Sequence, residues 1–262
     1  MPFTGSHPAA VLPLTRSGLL PSALVIGSLV PDLPYYLPTP VRGATTHTLA
    51  AAVSVDVLLG LVVFAVWHAL LAPFAIAIGP RAVRDRLRPP APRPSGLARR
   101  AVWPLRLLVS LAVGAATHVV WDSFTHQGRW GPAHIGWLAQ SHAGLPGYRW
   151  AQYASGVVGA AALALWLARW WRANPPTAAS RGRRPVRRAV AVASWALILS
   201  ATAVVGLLAA LRPLADADLR VAVFLAITRG GGAGIAAALL CAATVAVVAR
   251  RPPRSPGALP GT

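Results

Sequence analysis

The sequence predicts an all-α, polytopic membrane protein, and three observations carry that prediction. Several apolar runs are each long enough to cross a hydrocarbon core about 30 Å thick, which takes roughly 20 helical residues. These runs are continuously apolar and rich in Ala and Leu, without the period-two alternation of a barrel strand. Of the 262 residues 55% are hydrophobic, and the arginines cluster between the runs or after them.

The first 37 residues admit two arrangements. The stretch "LLPSALVIGSLVPDLPYYL" (19–37) reads as a sixth full span anchored by Arg16. Alternatively, 6–17 and 21–32 form a helical hairpin joined at "SGLLP", each arm about 17 Å long at 1.5 Å per residue. In the first arrangement His7 and Asp32 lie on opposite faces of the membrane; in the hairpin they share one level. Short re-entrant pieces need protein or a cavity around them.

Five full spans follow, at about 48–71, 104–124, 151–171, 189–211 and 231–249. The segment 72–80 continues or caps the first of them. The proline-rich stretch 86–98 reads as an extended linker, and "TRGGGAG" (228–234) as a flexible break before the last span. Residues 1–250 form a single transmembrane domain, and 251–262 a disordered tail. Tryptophans at 103, 121, 130, 137, 150, 166, 170 and 171 flank the spans as an interfacial belt.

Every one of the 25 basic residues is Arg, against six Asp and no Glu, for a net charge of +19. The clusters fall in 81–100, in 172–188 and at the C-terminus. Counting Arg places these in the cytoplasm, and 38–47, 125–150 and 212–230 outside, so the chain is a multi-pass protein of the cell membrane. The arginines suit anionic lipid headgroups. With no aromatic-interleaved basic module, the expected partners are membrane lipids and not nucleic acid. The lone Cys241 excludes an intrachain disulfide. The N-terminus lacks a charged n-region and places His7 and three prolines in the apolar stretch, so it is expected to be retained.

Against this apolar background, "AATHVVWDSFTHQG" (115–128) brings His118, Asp122 and His126 at intervals of four. Titratable groups are costly in lipid and normally face a bundle interior or a cavity. Residues four apart share a helix face, with Cβ atoms about 5–6 Å apart, so His118 and Asp122 suit one ion. Asp32 in "VPDLP" and His47 in "ATTHTL", where it opens a span, come to the same end of the bundle, and in the hairpin arrangement His7 joins them. Imidazoles and carboxylates are the donors that Zn²⁺ and similar cations take. The expected metal ligands are therefore His7, Asp32, His47, His118 and Asp122, holding a divalent metal, zinc foremost. Asp122 or Asp32 would also orient water, and His126 would act as an acid.

Each residue has a plainer reading. His118 and Asp122 suit a buried pair joining helices, although such contacts contribute only about 0.6–2 kcal/mol in membranes. His47 suits a polar helix start beside capping Thr45 or Thr46, Asp32 a turn, and His7 a helix start before Pro8. Asp56 reads as a mid-membrane packing group with Arg106 as counter-charge. His68 reads as interfacial, His134 and His142 as solvated, and Gln152 as a hydrogen-bonding group inside the bundle.

The set "SH", "GSLVPD", "RGATTHT" and "HVVWD" resembles the superfamily of membrane-bound, predicted metal-dependent hydrolases, whose PD, TH[ST] and HxxxD motifs come in this order. More narrowly, "MPFTGSHPAAVLPL", "SALVIGSLVPDLPYYL" and "YRWAQYASGVVG" resemble uncharacterised-domain family 4184, from residue 1 to about 250. The ligand order is also distantly similar to the zinc-dependent phospholipase C group. Two ligands of the hydrolase pattern are absent: Leu33, Pro34 and Tyr35 follow Asp32, and Val41, Arg42 and Gly43 stand where "HRG" would precede the TH motif. These departures weigh against a two- or three-metal site and leave room for a single metal.

The function this supports is hydrolysis of a lipid or phosphoester at a metal site near the outer face. A transporter or proton- or metal-conducting protein is the second class, and a non-catalytic protein with a structural polar cluster the third. No Walker loop, GxGxxG after a strand, or GxSxG elbow is present.

Overall fold

The computed structural model describes residues 4–87, 97–176 and 186–249. The linker expected over 86–98 lies mostly outside them, and the tail expected over 251–262 wholly so.

At the N-terminus the hairpin forms and the sixth span does not. Pro8 and Pro13 lack the N–H that an α-helix uses and clash with its carbonyls. Thr4–Arg16 accordingly winds as a 3-10 helix. Gly18, at φ +84°, turns the chain. Helix α1 then runs Pro21–Leu29 with Pro at its start, and a 3-10 turn, Val30–Asp32, leads into α2, Leu33–Tyr36.

Two short helices, α3 (Gly43–Thr46) and α4 (Leu49–Ala52), precede the first full span, α5 (Val55–Ile78). The span expected over 48–71 is therefore shifted, and His47 does not open it. Thr48 Oγ1 accepts the Ala51 N–H and Ser54 Oγ donates to the Ala50 carbonyl, so local bonds compete with a continuous helix. Residues 72–78 continue the span through a π-turn at Trp67–Leu71, as expected of that segment.

After α6 (Arg81–Arg84) come α7 (Leu97–Thr125), α8 (Trp130–His134) and α9 (Gly136–Ala139). A minimal ribbon pairs β1 (Ser141–His142) antiparallel to β2 (Leu145–Pro146) across Ala143 and Gly144, both at positive φ. The long helices α10 (Gly147–Ala173), α11 (Arg188–Ala215) and α12 (Leu219–Ala249) complete the fold.

The last span thus begins at Leu219, and "TRGGGAG" is helical. A Cβ on Gly230 would sit 2.6 Å from the Thr202 carbonyl, and one on Gly232 would overlap the Tyr36 carbonyl. Glycine costs about 1 kcal/mol in a helix interior. Here close backbone approach, the usual use of small residues between membrane helices, offsets it.

Helices α5, α7, α10, α11 and α12 are long and apolar enough to cross a membrane. Helix α7 is central: 44% of its most apolar window is buried, against 11–28% for the others. It packs against α1, α5, α10 and the N-terminal 3-10 helix, while α11 and α12 pair with each other. Outward faces carry exposed Leu58, Val62, Leu105, Leu165 and Leu207, as lipid-facing surfaces do. Inside, Ala23, Ile26, Val30, Val57, Leu107 and Leu111 form a core between α1, α5 and α7. Chain alternation brings Val55, Thr125, Gly147, Ala215 and Leu219 to one end of the bundle, and Ile78, Val102, Ala173, Arg188 and Ala249 to the other.

Candidate metal centre

Helix α7 crosses α1 where Gly27 meets Gly114; a Cβ on either would overlap the other helix's backbone. One turn past Gly114, His118 Nδ1 lies 2.8 Å from the carbonyl of Ser28, the residue after Gly27. Asp32 follows about one turn further on, at the end of the 3-10 turn after α1. On the other side, Thr46 Oγ1 donates to the Pro31 carbonyl at 2.6 Å, fastening α3 to the turn that carries Asp32. His47 stands next, its Nδ1 2.7 Å from the Gly43 carbonyl.

Both histidines are thereby fixed in one tautomer. Since Nδ1–H must donate to a carbonyl, each Nε2 is left to accept, the arrangement in which a metal-binding imidazole is usually held. Both Nε2 atoms are buried without a hydrogen-bond partner. They face two carboxylates: His47 lies 3.2 Å from Asp32 Oδ1 and 3.4 Å from Asp122 Oδ2. His118 lies 3.7 Å and 3.5 Å from the same two oxygens. One donor atom from each of the four residues falls within 4.8 Å of all the others.

An ion about 2.0–2.2 Å from four tetrahedral donors holds those donors about 3.3–3.6 Å apart. The four His–Asp separations, 3.2–3.7 Å, fall close to four of the six edges of such a tetrahedron. Charge fits as well, since two carboxylates, two neutral imidazoles and one divalent cation sum to zero. Without a cation the buried carboxylates need protonated histidines instead. Burial opposes a charge on His47, but Asp122 and Asp32 outweigh it and hold the imidazole up at about 9. Burial likewise favours a neutral Asp32, yet His47, His118 and Thr4 hold its carboxyl below the usual range.

A family model, "Domain of unknown function (DUF4184)", matches residues 1–244. The chain belongs to the DUF4184 family. No curated protein and no solved structure matches it. The narrower likeness read from the motifs is thus shown, and no named relative stands behind the hydrolase likeness.

In this DUF4184 protein the carboxylate of Asp122 is shared between two groups of histidines. Oδ2 faces His47 and His118, while Oδ1 lies 3.6 Å from His7 Nε2 and 3.3 Å from His126 Nδ1. His7, counted among the expected ligands, stands beside the four-donor group and stacks on His118 with ring centroids 3.8 Å apart. Burial, with His118 next to it, pushes the His7 imidazole down to about 4, so it is neutral at pH 7. His126 Nε2 lies 2.8 Å from Gln152 Nε2, which accounts for Gln152 as a polar group inside the bundle. A chamber of about 10 Å3, near the volume that one water needs, lies among Ser6, His7, Asp122, His126 and Gln152.

Two residues that hold Asp32 carry no signal of their own in the sequence. Thr4 Oγ1 donates to Asp32 Oδ2 at 2.5 Å, and Tyr36 Oη donates to Thr4 Oγ1 at 3.2 Å. Tyr36 is seated against Gly231 and Gly232 of α12, which gives the glycine run its place in the site. Arg129 Nη1 donates to the His47 carbonyl at 2.8 Å. Trp121, read as a belt residue, packs edge-on against His7.

Asp56 is buried in the first turn of α5, near the end that carries the site and not mid-span. Arg106 is exposed and forms no ion pair with it. His134 and His142 stack on Trp130 and Trp137, away from the four donors.

Proposed function

We propose that this protein is a metal-dependent hydrolase that acts on a lipid or phosphoester at Asp32, His47, His118 and Asp122, with zinc the fitting cation. The observation that supports this most is the pair of buried Nε2 atoms, neither of them hydrogen-bonded, that face two carboxylates at 3.2–3.7 Å. A divalent ion held there polarises a substrate oxygen and lowers the pKa of a bound water to about 7.

The chain's own groups supply the rest. Thr4 fixes Asp32, and the Ser28 and Gly43 carbonyls fix the imidazoles. His126, oriented by Gln152 and in contact with Asp122, is the group best placed to hand a proton to a leaving oxygen. Neutral His7, on the opposite side of the same carboxylate oxygen, orients water in the small chamber.

One observation favours a second reading. Four protein donors complete a tetrahedron, as in structural zinc sites, whereas catalytic sites keep a position open. The ion would then only clamp the hairpin to α7. Transport has less support: Ser110, Ser194 and Thr228, buried deeper, bond to carbonyls of their own helices and form no path.

Hydrolysis decides between them. Metal-loaded protein in mild detergent is assayed on a panel of phosphoesters and lipids, beside chelated protein and a His126→Ala variant. Turnover lost on chelation and reduced about 10²-fold or more by His126→Ala supports the enzyme. A metal-loaded protein inert on the whole panel supports the structural ion.

A further inference from the structure

We infer that the cavity beside His126 receives the phosphate of an anionic lipid, clamped by Arg149 and Arg220 at the seam between α10 and α12. This rests on the hydrolase reading above and names the class of substrate that the centre takes.

The cavity has a volume of about 760 Å3. Thr125, His126 and Gln152 line both it and the small chamber at Asp122. His126 stands on the wall shared by the two spaces, 3.3 Å from Asp122 and 2.8 Å from Gln152. A group bound in the cavity therefore lies next to the metal donors.

Its charge is positive. Arg149 stands in the first turn of α10 and Arg220 in the first turn of α12, and both line the cavity. Among the described residues the one arginine ion pair is Arg81–Asp85, at the other end of the bundle. Arg149 lies over the Tyr148 ring and donates to the Tyr148 hydroxyl, neither of which carries a compensating charge. Asp218 also lines the cavity, but its Oδ1 accepts the Val221 N–H at the start of α12. Guanidinium groups match phosphate oxygens in a fork geometry.

The walls point to a lipid and not a soluble phosphoester. Val223 and Phe224 of α12 line the cavity, and Leu219 above them is 65% exposed. Helix α10 packs on α7 and the N-terminal 3-10 helix, and α12 on α11, so the cavity parts α10 from α12. It lies where spans begin and end, the level of headgroups. An acyl chain can leave sideways along apolar side chains while the phosphate stays at the arginines.

The test is binding to the full chain in mild nonionic detergent, measured by calorimetry. The probes are phosphatidic acid, diacylglycerol with the same short acyl chains, and inorganic phosphate. The expected result is phosphatidic acid bound at least about tenfold tighter than diacylglycerol, from charge-assisted hydrogen bonds. That preference should vanish in the Arg149→Ala, Arg220→Ala double variant and survive in Arg81→Ala, at the other end of the bundle. Metal content, measured in parallel, reports on the hydrolase reading independently, because the preference does not require the ion. If the double variant does not fold, Arg220→Glu, at an exposed position, is expected to abolish the preference. Equal binding of the two lipids, or a preference unchanged in the variants, overturns the inference. Inorganic phosphate bound as tightly as phosphatidic acid assigns a soluble ligand and overturns it too.

Discussion

Gly27 and Gly114 meet backbone to backbone where α1 crosses α7, and no side chain fits between them. That contact sets the Ser28 carbonyl on His118 and so fixes the imidazole that faces Asp32. The candidate metal centre depends on how closely two helices approach as much as on its donors.

Gly114→Val is therefore expected to destabilise the protein by about 1–3 kcal/mol or more, through overpacking against the Leu24 carbonyl. Gly136→Ala, whose Cβ would meet only Gln140 at 3.8 Å, is the control and should be near neutral. Thermal melts of both variants in detergent check this.

Much of the fold was legible because hydropathy alone marks a spanning helix. The boundaries were not, since Thr48 and Ser54 break the chain with local hydrogen bonds that an apolar window does not register. The glycine run at 230–234 misled for a related reason. Glycine marks both a flexible turn and a close helix contact, and only Tyr36 and Thr202 decide which. In the site, Asp32, His47, His118 and Asp122 stood out as titratable groups in an apolar chain. Thr4 and Tyr36 are ordinary polar residues whose role appears only once the hairpin folds back.

The Tyr36–Thr4–Asp32 chain leads to the second prediction. Thr4→Val frees Asp32 Oδ2, and loss of such a supporting bond typically costs 10–100-fold in metal affinity. Gly232→Val, which displaces Tyr36 from α12, should weaken binding in the same direction without touching a donor. Competition with a fluorescent zinc chelator measures both.

The third prediction concerns pH. Metal-free His47 is held up at about 9, so it is protonated at pH 7 and its proton must leave when a cation binds. Apparent affinity is expected to rise about tenfold per pH unit below about 9, then level off. The chelated protein should behave oppositely. Its His47 ion pairs contribute fully below about 6.5, the ordinary histidine value, and are lost as pH rises through about 9. Melts at pH 6 and pH 9.5, with and without chelator, read both signs.

Metal also couples to stability. An ion at 100 times its Kd is expected to stabilise the native protein by about 2.7 kcal/mol. His118→Ala should abolish the rise in melting temperature on adding zinc. A variant that melts like the wild type yet still responds to zinc would place the ion elsewhere.

The most direct measurement is the metal content of protein purified in mild detergent without a metal-binding tag, by mass spectrometry. It is made on the wild type, His118→Ala and Asp122→Ala. The account predicts about one zinc, manganese or iron per chain in the wild type and almost none in either folded variant. A wild type that stays metal-free after reconstitution with these ions contradicts it. The four residues are then a buried ion-pair cluster that clamps the hairpin to α7.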